Sequence, residues 1–257
     1  MTVKAKKFLG QHFLKDPAIA EEIVNFLGES YLYSDVLEIG PGMGILTQFL
    51  FENKKYHTKI VDLDLESIEY LFNLFPLRQQ DILHDDFLKL ETKSIFKGQF
   101  AIIGNFPYNI SSQILFKVLE ERDRIPEVVG MFQKEVAERI AGTPGGREYG
   151  LLSVFMQAFY DVKIVRQLTQ TDFLPPPKVK SAVLHFLRKE NFDLGCDEKD
   201  FRRVVKMAFN QRRKTLRNAL SAAVARDVDI PFGSLRAETL GWQQFVELTN
   251  FIVSLPK

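Results

Sequence analysis

A chain of 257 residues, 46% apolar and 26% charged, is long enough to bury a substantial core and has an ordinary globular composition. No apolar run approaches the roughly 18–20 residues that span a bilayer, and no apolar core of a signal peptide follows the basic N-terminus. The single Cys196 excludes an internal disulfide, so a protein of the reducing cytoplasm is expected. The net charge of +1 excludes little because the charge is segregated: Phe201–Arg217 holds seven Lys or Arg and no acid.

Hydrophobic periodicity predicts a helix near Pro17–Leu27, a strand at Asp35–Ile39, and a glycine-rich loop with a helix near Pro41–Phe51. A strand at Thr58–Val61 and a helix near Leu65–Phe75 follow, then a third strand before Asp86 and a further one at Phe100–Ile103. Next come a helix at Ser111–Glu120, a strand at Glu127–Phe132, and helices at Lys134–Ala141 and Gly150–Phe159. The β-rich runs Val162–Leu168 and Val179–Leu187 flank Phe173-Leu174-Pro175-Pro176-Pro177 and are too close for a helical crossover, which predicts antiparallel pairing. This alternation predicts an α/β fold with a mostly parallel sheet. After Lys189 the pattern turns helical, which places a catalytic domain at 1–189, with a basic segment at 1–15, and an α-helical domain at 190–257.

Asn105-Phe106-Pro107-Tyr108 follows the buried strand, where a parallel sheet presents its chemistry. The Asn105 amide oxygen and the Phe106 carbonyl are acceptors for the two hydrogens of an exocyclic amino group, Pro107 stiffens the loop, and Tyr108 offers a face to the attached base. Gly40-Pro41-Gly42-Met43-Gly44 is a strand-to-helix turn whose spacing disfavours a dinucleotide. Asp62, about twenty residues on, suits ribose hydroxyls, and Asp86 suits an adenine amino group. This order of glycine turn, two acids and clamp fits S-adenosylmethionine, with S-adenosylhomocysteine as the product. Methyl transfer from a sulfonium needs positioning rather than a metal. The four histidines (His12, His57, His84, His185) lack metal-ligand spacing, so no metal is expected.

These residues resemble the ribosomal RNA adenine N6-dimethyltransferases, most closely the group acting on the bacterial small subunit. The likeness runs from Lys7-Phe8-Leu9-Gly10-Gln11-His12-Phe13-Leu14 to Asn210-Gln211-Arg212-Arg213-Lys214-Thr215-Leu216-Arg217. Between them lie Glu38–Gly42, Gly104–Ser111 and Phe173-x-Pro175-Pro176-Pro177-x-Val179-x-Ser181. The resemblance implies a class I, Rossmann-like methyltransferase with a seven-stranded sheet and a small C-terminal helical domain. It implies cofactor contacts at His12, Leu14, Gly40, Gly42, Asp62, Asp86 and Asn105, and a target adenine held between Tyr108 and Phe173. Phe106 stands where the family usually has Leu, His12 where it has Asn, and Asp62 where it has Glu.

The resemblance also implies four methyl transfers to two adjacent adenines in the 3′-terminal hairpin of 16S rRNA, within 30S or pre-30S particles, by a monomer. Arg202, Arg203, Lys206, Arg212, Arg213, Lys214 and Arg217 are expected to grip phosphates. The competing readings are a large-subunit rRNA methyltransferase of the macrolide-resistance type, a DNA adenine methyltransferase, and an assembly factor whose main task is RNA binding.

Overall fold

Apolar strands buried on both faces alternate with one-faced helices, and together they build a seven-stranded sheet. The computed structural model describes residues 3–6, 9–28, 32–225 and 227–255. Met1, Thr2, Lys7 and Phe8 of the basic N-terminal segment therefore lie outside the described residues. The chain divides into two compact units, Met1–Ala137 with Lys163–Arg188, and Glu138–Val162 with Lys189–Lys257.

The first unit opens with β1 (Phe13–Leu14) and α1 (Pro17–Asn25). Asp16 caps α1 by accepting from the Ala18 N–H, Pro17 occupies its first turn, and Ile19, Ala20, Ile23 and Val24 form its buried face. Then come β2 (Asp35–Ile39), α2 (Thr47–Glu52), β3 (His57–Asp62), α3 (Leu65–Leu74), β4 (Ile82–His84) and the short α4 (Thr92–Ile95). β5 (Phe100–Asn105), α5 (Ser111–Glu120), β6 (Glu127–Gln133) and α6 (Lys134–Ala141) follow. In the second unit α7 (Leu151–Phe159) leads into β7 (Tyr160–Leu168), which returns the chain to the first unit with β8 (Phe173–Leu174) and β9 (Ser181–Arg188).

The strand order is β4-β3-β2-β5-β6-β9-β7, with β1 and β8 forming a separate antiparallel pair. β2 runs parallel to β3 and to β5, β3 to β4, and β5 to β6, while β9 is antiparallel to β6. From β2 the chain first builds outward through β3 and β4, then restarts on the other side with β5. The carboxyl ends of β2 and β5 therefore flank a switch point, where open α/β sheets bind ligands.

At the start of β6, Glu127 is a buried carboxylate with three partners: the Gly28 N–H at 2.9 Å, the Tyr33 hydroxyl at 2.7 Å and His185 Nε2 at 2.6 Å. Burial alone would raise this carboxyl, but His185, Tyr33 and Gly28 hold it below the ordinary Glu value. A depressed carboxyl stabilises the fold fully above the unfolded value of about 4.3, and that contribution is lost as pH falls through the lower folded value. Glu127→Gln should cost about 2 kcal/mol at pH 7, and the gap should narrow in urea titrations at pH 3.5. An equal gap at both pH values would show that the charge is not its source.

The second unit is helical: α7, α8 (Glu198–Asn210), α9 (Leu216–Ala219) and α10 (Trp242–Ser254). Asp197 caps α8 through the Asp200 N–H, and Phe201, Val204, Val205 and Ala208 form its buried stripe. Lys189–Lys257 makes up the larger part of this unit. Residues 138–162 also belong to it, although the alternation had placed them with the sheet. The reason is α7, which is apolar and sets Phe155 against Phe201 of α8, ring centroids 6.1 Å apart.

Candidate active site

The carboxyl ends of four neighbouring parallel strands converge on one cleft. It encloses about 970 Å³ of space continuous with solvent, and its lining includes Gly40 and Gly42 after β2, Asp62 and Leu63 at β3, Asp86 after β4, and Asn105, Pro107 and Tyr108 after β5. The four strand ends that sequence spacing singled out are thus brought together.

Gly40 and Gly42 have φ of +67° and +55°, a conformation that disfavours side chains. Gly42 serves a second purpose that its spacing does not reveal: a Cβ there would lie 2.7 Å from the Phe13 ring, so its bareness seats the N-terminal segment. Within the loop and helix expected near Pro41–Phe51, the helix begins at Thr47, because positive-φ glycines hold the preceding residues in turns.

Asp62 receives the Asp64 N–H on Oδ1 at 2.9 Å and the Gly42 N–H on Oδ2 at 3.3 Å, so the acid is locked to the glycine turn. Burial raises its pKa against the pull of those bonds. Asp86 Oδ1 accepts the Leu88 N–H at 3.0 Å.

Residues 9–13 help to line this cleft. Lys6 pairs with Asp64 and, at 3.2 Å, with Glu66, while Gln11 Nε2 donates to Asp64 Oδ2 at 2.9 Å. Burial would raise the Asp64 carboxyl, but Lys6 and Gln11 hold it below the usual range. Lys6 is therefore spent on the fold, which the acid-free N-terminal sequence does not disclose.

In the clamp, Asn105 Nδ2 donates to the His12 carbonyl at 2.6 Å, which leaves Oδ1, an acceptor, for a ligand. Tyr108 bonds Ser181 Oγ at 2.5 Å, and burial raises its phenol despite that bond, so the ring stays neutral. The Phe106 ring is fully buried edge-on to Phe132, centroids 5.3 Å apart. Gly104 and Gly130, paired across β5 and β6, leave room for it: a Cβ on Gly130 would lie 2.4 Å from the Phe106 ring. This pair accommodates Phe where Leu is usual.

His12 stacks on Tyr108 with centroids 5.6 Å apart and bonds the Pro175 carbonyl through Nδ1 at 2.8 Å. Phe173 does not line the cleft. Its ring is 1% exposed in the main core, opposite Leu14 in the β1–β8 pair, and exposed Leu174 is its neighbour. Leu14 likewise lies in the core and borders an adjoining hollow, which buried Glu38 also lines. Glu38 was missed as a separate site residue, although an acid inside an apolar strand is a readable signal. Burial pushes it up to about 8, against a bond from Thr47 at 2.7 Å.

In the helical unit, four of the seven basic residues meet acids from outside their own run. Arg202 pairs with Glu198, Arg203 with Asp200, Arg212 with Glu238 and Arg217 with Asp229. Lys206, Arg213 and Lys214 are exposed, and no ion pair is found for them among the described residues. No cluster of His, Cys, Asp or Glu suited to a metal is found among the described residues, and no helix there is long and apolar enough to cross a membrane.

The family model described as Ribosomal RNA adenine dimethylase matches residues 2–233. Over 252 residues the chain is 55% identical to the Ribosomal RNA small subunit methyltransferase A of Cytophaga hutchinsonii, covering 97% of this chain and 98% of the relative. The protein of the same name from Flavobacterium johnsoniae is 52% identical over 254 residues, covering 97% and 96%. Among solved structures, a dimethyladenosine transferase from Plasmodium falciparum matches with TM-score 0.77 at 25% identity, covering 92% of this chain and 96% of that one. The 23S rRNA methyltransferase ErmE matches with TM-score 0.69 at 23% identity, covering 93% and 99%, a likeness of fold alone.

Proposed function

Because the chain belongs to the ribosomal RNA adenine dimethylase family, we propose that it dimethylates N6 of two adjacent adenines in the 3′-terminal hairpin of 16S rRNA. The observation that carries this reading is the Asn105 amide at the cleft, whose Nδ2 is held by the His12 carbonyl so that Oδ1 remains as an acceptor; the Phe106 carbonyl is the second acceptor in this reading, although Phe106 is not among the residues that line the cleft. Two acceptors suit an amino group that brings two hydrogens.

The cleft fits S-adenosylmethionine. Positive-φ glycines form a floor without side chains, Asp62 is aligned for a ribose, Asp86 for an adenine amino group, and Leu63 and Phe87 add apolar walls. When bound, S-adenosylmethionine supplies an already activated methyl group. The chain's own task is then to orient. Asn105 and Phe106 hold the amino hydrogens and aim the nitrogen lone pair, Tyr108 supports the base, and no residue is required as a strong base. His12 and Gly40 complete the cofactor wall in this reading. The buried Phe173 would have to leave the core to form a second face, so Tyr108 with its His12 neighbour is the better supported platform.

The same reading includes a cytoplasmic monomer acting on 30S or pre-30S particles. Lys206, Arg213 and Lys214 are its strongest phosphate contacts, since the other four arginines are neutralised within their own unit. Unmethylated 30S subunits, 50S subunits and DNA, each incubated with radiolabelled S-adenosylmethionine, should take label only on 30S, at two neighbouring adenines. Label confined to 50S or DNA would overturn the substrate. Run in parallel, Arg213→Glu with Lys214→Glu should weaken 30S binding about tenfold or more and flatten its salt slope by about two. An unchanged slope would reduce the patch to a solvated face.

A further inference from the structure

Lys117 lies on α5, the helix that leaves the clamp, and nothing assigned above uses it. Its ammonium reaches across to the β4–α4 connection and donates to the Phe87 carbonyl at 2.6 Å and the Leu90 carbonyl at 2.5 Å. It lies 4.9 Å from the Phe87 ring centroid, and Glu121, one turn along, stands 3.9 Å away. With 13% of the side chain exposed, these are the partners that a half-buried ammonium requires. Burial draws its pKa down, opposed by Glu121 and Asp86.

The loop that Lys117 grips supplies Asp85, Asp86, Phe87 and Leu88 to the cleft. Its remaining polar contacts are largely local. Asp86 takes the Leu88 N–H, and Lys89 stands 3.6 Å from Asp86 Oδ2, which shapes the turn without attaching it elsewhere. The start of the loop is fastened where the Asp85 N–H donates to the Asp62 carbonyl at 3.1 Å. Lys117 fastens the far end, from a helix whose other end carries the clamp.

We propose that Lys117 is a positioning residue for the cofactor, one that pins the Asp86 loop to the clamp helix and so sets cofactor affinity without touching the reacting atoms. The inference rests on the S-adenosylmethionine reading above. Lys117→Met keeps the apolar stem and removes the donors. It should weaken S-adenosylhomocysteine binding, measured calorimetrically, about tenfold, or about 1.4 kcal/mol, and raise KM for S-adenosylmethionine alike. The value of kcat at saturating cofactor should stay within about twofold of wild type, because the bound complex keeps its geometry.

Lys117→Arg, which retains charge and donors, should recover most of the affinity. Binding by Lys117→Met within twofold of wild type overturns the proposal, as does a fall in kcat with KM unchanged. If Lys117→Met does not unfold cooperatively in urea, Lys117→Gln is measured against the same limits. A wild-type protein that binds no S-adenosylhomocysteine sinks the cofactor reading and this inference with it. Equal binding by wild type and variant sinks the tether alone.

Discussion

Asn105→Ala is expected to lower single-turnover methyl transfer by on the order of 10²–10³-fold, the scale seen when one preorganised polar contact is removed from a reacting centre. RNA binding should persist, because the exposed cations lie in the other unit and make no contact with this amide. The variant also forfeits the bond to the His12 carbonyl, so S-adenosylhomocysteine affinity should fall modestly as the N-terminal segment loses one of its anchors. Asn105→Asp separates the two effects. It keeps acceptors in the cleft but turns a carboxylate towards the His12 carbonyl, so it should damage cofactor retention more than Ala does. Turnover by Asn105→Ala near that of wild type would remove the clamp from the mechanism.

Gly130→Ala should be strongly damaging to the first unit. Its Cβ would lie 2.4 Å from the Phe106 ring and 2.7 Å from the Phe132 ring, inside a core with no slack. Overpacking of this kind costs about 1–3 kcal/mol. Because the displaced ring belongs to the residue whose carbonyl is proposed to serve the clamp, turnover should fall further than stability alone explains. Phe106→Leu in the same background should restore much of both, whereas alone it opens a void and costs about 1 kcal/mol. Urea midpoints and turnover for the four members of this cycle give the coupling. If the two substitutions simply add, Phe106 and Gly130 do not share one space.

What the sequence discloses here follows the range of the forces involved. β2 and α5 appear with their predicted boundaries, because burial on both faces and a one-sided apolar stripe are local patterns. The convergence of Gly40, Asp62, Asp86 and Asn105 is equally readable, since strand ends in a parallel sheet share one edge. Pairings across long separations are not. The acids that neutralise Arg212 and Arg217 lie 26 and 12 residues further on, so a run without acids looked freer than its folded surface is. Lys117 reaches carbonyls 30 and 27 residues back, and no pattern in α5 marks it out. Phe173 shows the converse. A motif supplied its aromatic role, while the pairing of β1 with β8, two residues each, decided that its ring lies in the core.

One consequence follows from the amide of Asn105, given the clamp. With one Nδ2 hydrogen bound to the His12 carbonyl, the proposed clamp meets the amino group through two oxygens, and such a pair tallies hydrogens. An unmodified adenine offers two, a singly methylated one offers one, and the finished base offers none. Each round therefore loosens the grip. The last would leave two oxygens unpaired against methyl groups, at about 1–3 kcal/mol apiece. Retention ends when the donors run out, so the enzyme can stop at two methyl groups without needing a wall to forbid a third.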